Sequence, residues 1–276
     1  MGQTISEVAD DYDLLRPEVV ADPYPLYDRL RAEDPVHWSE IYGCWLLTRY
    51  ADVLQSLRDK RLSNARRVTQ YIDQLDENVR KQIQPVRTYT SAMVQFTDPP
   101  DHTRIRPLVS KAFTPRMVRG MRPRIQEITD DLLDSVQDAR RMDAIRDFAY
   151  PLPIIVISEM VGIPSEERDQ IKGWASDFVA FIGTGRAMAE ETQRVLRSLD
   201  QMTDYIRRIV VERRKSPKDD LLSALIAAED EGDRLSEEEL IGTCVSLMIA
   251  GHETTTNLIG SGLALLDHLL GCVGSF

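Results

Sequence analysis

The 276-residue chain carries 34 Lys+Arg against 45 Asp+Glu, a formal net charge of −11. That balance argues against nucleic acid as the main partner and would repel an anionic membrane surface, while 42% hydrophobic residues allow a sizeable core in one large domain or two small ones. No run of about 18 apolar residues marks a membrane span, and the acidic start MGQTISEVADDYDLLRPE lacks the apolar core of a signal peptide. Cys44, Cys244 and Cys272 form no CxxC pair, which suits a reducing cytosol.

In chain order, DPYPLYDRLRAEDP (22–35) has helical spacing, with Leu26, Tyr27 and Leu30 on one side. PVHWSEIYGCWLLTRY (35–50) reads as a small hairpin turning at Gly43, and 51–60 returns to helix. Residues 64–96 are mixed and polar, with a helix-like centre, YIDQLDENVRKQI, inside a long functional loop. The rest is nearly all helical. Ile125, Ile128, Leu132 and Val136 share one helix face; LPIIVISEMVGIP (152–164) is a buried helix ended by Gly162 and Pro164. Residues 165–182 form a helix capped by Ser165, and 194–215 a long amphipathic helix with a basic end. The last helix opens on a capping box, Ser236 with Glu239, flanked by Leu235 and Leu240. Running to about Leu270, it spans roughly 50 Å at 1.5 Å per residue.

Two segments carry chemistry. The first is AGHETTTN (250–257), which places a glycine, a carboxylate and three β-branched hydroxyls inside an apolar helix, each a poor choice for helix stability. One reading is a packing notch at Gly251, with threonine hydroxyls bonded back one turn. A zinc peptidase pattern starts at His252–Glu253 but fails at Thr256, where the second histidine is required. The second segment is TDPPDHTRIRPLVSKAFTPR (97–116), a helix start that Thr97 or Asp98 can cap. His102 and Arg106 lie four apart on one face. They form either a solvated face pairing with Asp98 or Asp101, or two groups aimed at one anion. Pro107 removes a backbone bond just beyond them.

Together, His102-x-x-x-Arg106 followed by Ala250-Gly251-His252-Glu253-Thr254-Thr255 resembles the cytochrome P-450 family of haem-thiolate monooxygenases, in particular its soluble bacterial members. DPP, KAFTPR, DPYPLYDRLRAEDPVHW, WLLTRYADVL and FAYPLPIIVISEMVGIP are similar to the family's pieces, so the resemblance covers about residues 20–266. It implies a mainly α fold with a small β-sheet near the N-terminus, a truncated cytochrome P-450 fold. It implies a haem b (heme b) cofactor whose propionates His102 and Arg106 grip, and a low haem-facing helix surface at Ala250 and Gly251. Thr254 would be the oxygen-activation residue and Glu253 its proton relay, the helical penalties being strain retained at a functional site; His252 and Thr255 are read as structural. The implied partners are a small apolar substrate, dioxygen and a ferredoxin or flavoprotein electron donor, with no nucleic acid and no membrane, in the cytoplasm.

The family's axial cysteine sits in a loop resembling F-G-x-G-x-x-x-C-x-G. Cys272, in GCVG, copies only its end, and lies 18 residues after Thr254, about 27 Å if helical. Glu-x-x-Arg occurs at Glu77–Arg80 and Glu191–Arg194, ahead of the central helix rather than after it. The metal ligand is therefore read as absent from this chain. Residues 1–276 are read as a single incomplete domain with a divergent tail, 267–276, ended by a frameshift, a premature stop or an engineered boundary. The chain alone is expected to be inactive and to expose an apolar patch. The alternative is a non-catalytic helical fragment or pseudoenzyme that binds a ligand or partner. A third reading gives the haem a histidine ligand, His252 being placed for it. Met93, Val94, Phe96, Phe178 and Phe181 are read evenly as substrate pocket or core.

Overall fold

A computed structural model describes residues 12–65, 73, 77–82, 84–139, 141–164, 167, 170–171, 173–178, 189–228 and 232–270. The chain divides into two compact units, Met1–Ser63 and Asn64–Phe276.

The first unit holds α1 (Pro17–Ala21), α2 (Tyr24–Glu33), β1 (Val36–Ser39), β2 (Cys44–Leu47) and α3 (Tyr50–Arg58). The strands pair antiparallel with Trp38 opposite Trp45. Their rings meet edge to face at 5.4 Å, a favoured aromatic geometry. Gly43 turns the hairpin at φ +58°, a left-handed conformation that glycine adopts without a Cβ clash. Leu30 of α2 is fully buried, as its place in the helical stripe predicts.

The second unit is helical among its described residues. In order it has α4 (Glu77–Gln82), α5 (Gln84–Ser91), a 3-10 turn (Val94–Phe96), α6 (Asp101–Ala112), α7 (Pro115–Gly120) and α8 (Arg122–Gln137). A π-helical turn (Ala144–Ala149), α9 (Pro151–Val161), α10 (Ala189–Lys215), α11 (Leu221–Ala227) and α12 (Glu237–Leu270) follow. The loop expected around residues 71–83 is corrected: Gln84–Ser91 is a helix. Its polar sequence hides one inward stripe, with Thr90 buried and Tyr89 packed against the core. Only the partner surface makes that stripe visible. Ser165, the expected cap of the 165–182 helix, lies outside the described residues.

The core forms where α9, α10, α11 and the first half of α12 meet, around Ile157, Leu199, Met202, Leu222, Cys244 and Val245. A buried ion pair locks one side. Arg213, only 3% exposed, donates to Asp220, 6% exposed, at 2.6 Å and to the Gly162 carbonyl at 2.8 Å. Asp220 also caps α11 by accepting from the Ser223 N–H at 2.8 Å. Gly162 ends α9 at φ +88°, and a Cβ there would lie 2.2 Å from the Asp220 carboxylate. Among the described residues no helix is long and apolar enough to cross a membrane.

Candidate functional site

The site is built on α12 and α6. The start of α12 is set locally, as the capping box predicts. The Ser236 N–H donates to the Glu239 carboxylate at 2.8 Å, and the Glu239 N–H donates to the Ser236 hydroxyl at 3.2 Å. Glu239 has a second task. Arg104 of α6 donates to it and to Asp233 at 3.3 Å, so α6 is tied to the first turn of α12. Sequence reading passed over Arg104. It is one of two arginines in TRIRP, and nothing local distinguishes the one that finds carboxylates 129 and 135 residues away.

Downstream of Met248 the helix changes character. Leu240, Ile241, Cys244, Val245 and Met248 are buried, whereas Ala250, Thr254, Asn257, Leu258, Ser261 and Leu265 are exposed. Those six recur at helical spacing and form one bare flank, with Leu258 72% and Leu265 57% exposed. The flank mixes apolar Ala250, Leu258 and Leu265 with polar Thr254, Asn257 and Ser261.

Within AGHETTTN the residues point to different sides. The Thr254 hydroxyl donates to the Ala250 carbonyl at 2.6 Å, one turn back. Its oxygen keeps lone pairs directed to the exposed flank, so it can accept a proton while releasing its own. Glu253 is about one-third exposed, and His252 is wholly buried, 3.7 Å from the Glu253 carboxylate through Nδ1. Gly251 meets α9: a Cβ there would lie 3.1 Å from Ile157 Cγ1. Its missing side chain lets α9 approach, which is the packing-notch reading, and the structure offers no observation for the haem-facing role given to Gly251. Ala250 is on the bare flank with Thr254.

On α6, His102 is half-buried and Arg106 exposed, one turn apart on a helix that runs unbroken through Pro107. The two expected caps are corrected. The Asp98 carboxylate accepts from the Asn64 N–H at 3.0 Å, and the Thr97 hydroxyl donates to the Val94 carbonyl at 2.8 Å, so Pro100 precedes α6 as its N-cap residue and no side chain caps the helix. These long-range and turn partners outcompete the helix end. Among the described residues Arg106 pairs with neither Asp98 nor Asp101, and no hydrogen bond or ion pair links His102 or Arg106 to the 250–255 segment. Their nitrogens are available to an anion, unlike those of Arg104.

The residue types are compatible with a haem: two nitrogen donors one turn apart on α6 suit paired carboxylates, and Ala250 and Thr254 are small and exposed. A thiolate donor for such a group is another matter. Cys244 is fully buried in the core, and that burial, with the charge of Asp220 added, pushes its thiol pKa up to about 12. It packs as a small apolar residue. Cys44 belongs to the first unit, and Cys272 lies outside the described residues. Met93, Phe96 and Phe178 are buried in the core cluster, which gives them a packing role; Phe181 lies outside the described residues.

Comparison with known proteins gives one family. The family model "Cytochrome P450" matches residues 39–268. "Cytochrome P450 CYP107DY1" of Priestia megaterium is 40% identical over 93% of this chain and 64% of its own length. "Vitamin D(3) 25-hydroxylase" of Pseudonocardia autotrophica is 41% identical over 94% of the chain and 61% of its own length. The crystal structure of P450BioI with an acyl carrier protein ligated to hexadec-9Z-enoic acid superposes with a TM-score of 0.80 at 33% identity, over 92% of this chain and 64% of that one. The chain thus spans under two thirds of the length of these relatives. The helices, the hairpin and the order of the two motifs agree with that fold, and the chain belongs to the cytochrome P450 family.

Proposed function

We propose that this chain carries the distal, oxygen-side part of a haem monooxygenase that inserts one atom of dioxygen into an apolar organic substrate, with a ferredoxin or flavoprotein supplying electrons. The observation that carries the reading is the bare α12 flank at Ala250 and Thr254, with Glu253 beside it. Bound haem would supply dioxygen activation. The chain's own residues would do three things. His102 and Arg106 hold the carboxylates of the group by charge-assisted hydrogen bonds. Thr254 accepts a proton at Oγ1 and releases the one now shared with the Ala250 carbonyl. Glu253, partly exposed, resupplies it from solvent.

An apolar substrate is supported by relatives whose names specify a vitamin D(3) hydroxylase and a complex with a hexadecenoyl-loaded carrier protein. A single domain is supported by the family match, which runs across the division at Ser63. The sparse cysteines, without a CxxC pair, support a cytoplasmic location. The placement of Cys244 favours the second reading for the chain by itself, a binder of haem or ligand without turnover, since its buried thiol cannot serve as thiolate.

The test is optical titration of haem into the purified chain, followed by reduction and carbon monoxide. Saturable uptake is expected, weakened about tenfold by each of His102→Ala and Arg106→Ala, the usual worth of a partly exposed charge-assisted bond. The carbonyl band should lack the strong red shift of thiolate ligation. Affinity indifferent to both substitutions would remove the assignment.

A further inference from the structure

Arg104 stands between His102 and Arg106 on α6, and its side chain is committed elsewhere. The guanidinium forks between two carboxylates, donating to Asp233 at 3.3 Å and to Glu239. The Glu239 side chain is only 16% exposed, so this pair is screened less than a surface one. The two Glu239 oxygens divide the work. Oε2 accepts the Ser236 N–H that closes the capping box, and Oε1 accepts Arg104. Asp233 lies just ahead of α12, so one side chain of α6 grips both the approach to α12 and its first turn. Two more contacts lay the preceding segment along α12. The Ser246 hydroxyl donates to the Gln95 side chain at 2.6 Å, and a Cβ on Gly242 would lie 3.1 Å from the Ala92 backbone. Glu239, Gly242 and Ser246 share one face of α12. Ala250, one turn beyond Ser246 on that face, opens the bare flank. Segment 92–104 therefore lies on the side of α12 that is left bare downstream.

The same fork sets how α6 is rolled about its axis. At about 100° per residue, His102 and Arg106 each lie about 200° from Arg104, so both point away from it and toward a common side. Buried Ile105, Leu108 and Ala112 form the apolar stripe between them and Arg104. Apolar burial is non-directional and leaves the roll loosely set, and no side chain caps the start of α6. A guanidinium bonded to two fixed carboxylates is directional. We propose that Arg104 is a positioning residue: its bonds to Glu239 and Asp233 fix the roll of α6 against α12 and so aim His102 and Arg106 at the carboxylates of one haem. The inference rests on the reading that those two residues hold such carboxylates.

The experiment compares uptake by the full chain of haem and of haem dimethyl ester, in which both carboxylates are blocked. The ratio of the two affinities reads the carboxylate grip, because a loosened fold weakens both alike. Arg104→Gln removes the fork from α6. Glu239→Gln weakens it from α12 and leaves α6 unaltered in sequence, and Gln is accepted at that place in a capping box. Each substitution should lower the ratio about fivefold to tenfold, the worth of a charge-assisted bond that has lost its aim. The double variant should fall no further than either single, because the two residues act through one contact. An unchanged ratio in both singles, or single losses that add in the double, overturns the proposal. If Arg104→Gln does not fold, Glu239→Gln decides by itself, and an unchanged ratio there is the overturning result. A native chain that takes up both compounds equally would sink the haem-site reading, and this proposal with it. A native preference for haem that ignores Arg104 and Glu239 sinks this proposal alone.

Discussion

Gly162 and Asp220 should be energetically inseparable. An alanine at 162 is strained by φ +88° and places its Cβ 2.2 Å from Asp220 Oδ2. The left-handed backbone alone costs about 1–2 kcal/mol. The overlap also forces the carboxylate away from Arg213, disrupting a buried pair whose breakage is worth about 3–5 kcal/mol. Gly162→Ala in the native background is therefore expected to cost about 3–4 kcal/mol, as part of the pair survives by side-chain shift. Asp220→Ala should cost about 4 kcal/mol, from the stranded Arg213 and the lost cap on the Ser223 N–H. In the double variant the carboxylate is gone, and the contact with the residue-220 Cβ at 3.0 Å needs only a small shift. Gly162→Ala then costs only the backbone term, so the two changes should couple by about 2 kcal/mol. Urea unfolding of the four chains, followed by far-ultraviolet circular dichroism, measures this from midpoints at constant slope. A coupling below about 0.5 kcal/mol, the level at which independent sites add, would refute the geometry.

Burial pushes the Asp220 pKa upward, but the bonds from Ser223 and Arg213 more than offset it, and the folded value lies below normal. Its stabilisation is thus fully present above the unfolded carboxylate value of about 3.9 and is lost as pH falls through the folded value; an acid titration of stability should flatten in Asp220→Asn. Gly251→Val should destabilise by about 1–3 kcal/mol by overpacking Ile157, and Ile157→Ala should recover part of that loss in a denaturation series. Thr254→Val, on the bare flank, should leave the midpoint within about 0.5 kcal/mol. Ser236→Ala should lower stability by about 1 kcal/mol through the cap of α12. In a Cys44→Ser, Cys272→Ser chain, Cys244 should resist thiol reagents at neutral pH until urea unfolds it; prompt labelling would contradict its burial.

What could be read without tertiary structure was whatever short-range chemistry decides. The capping box of α12, the Gly43 turn and the Gly162 stop each need only a few neighbouring residues, and the order of the two motifs is itself a linear fact. The Ile125, Ile128, Leu132, Val136 stripe was legible because helical periodicity exposes an inward face. The rest depended on partners far away in sequence. Residues 84–91 become a helix because Tyr89 and Thr90 find a core that their own sequence does not contain. Asp98 abandons the helix end for Asn64, and Arg104, indistinguishable from Arg106 in the sequence, is spent on Asp233 and Glu239 while Arg106 stays available. AGHETTTN shows the division most clearly. Its composition announces a helix that tolerates penalties, but not which penalty serves what. Only packing sends Gly251 to Ile157, His252 to Tyr150 and Thr254 to the open flank, because a helix turns each successive residue by about 100° and the neighbours on each side are supplied by the fold.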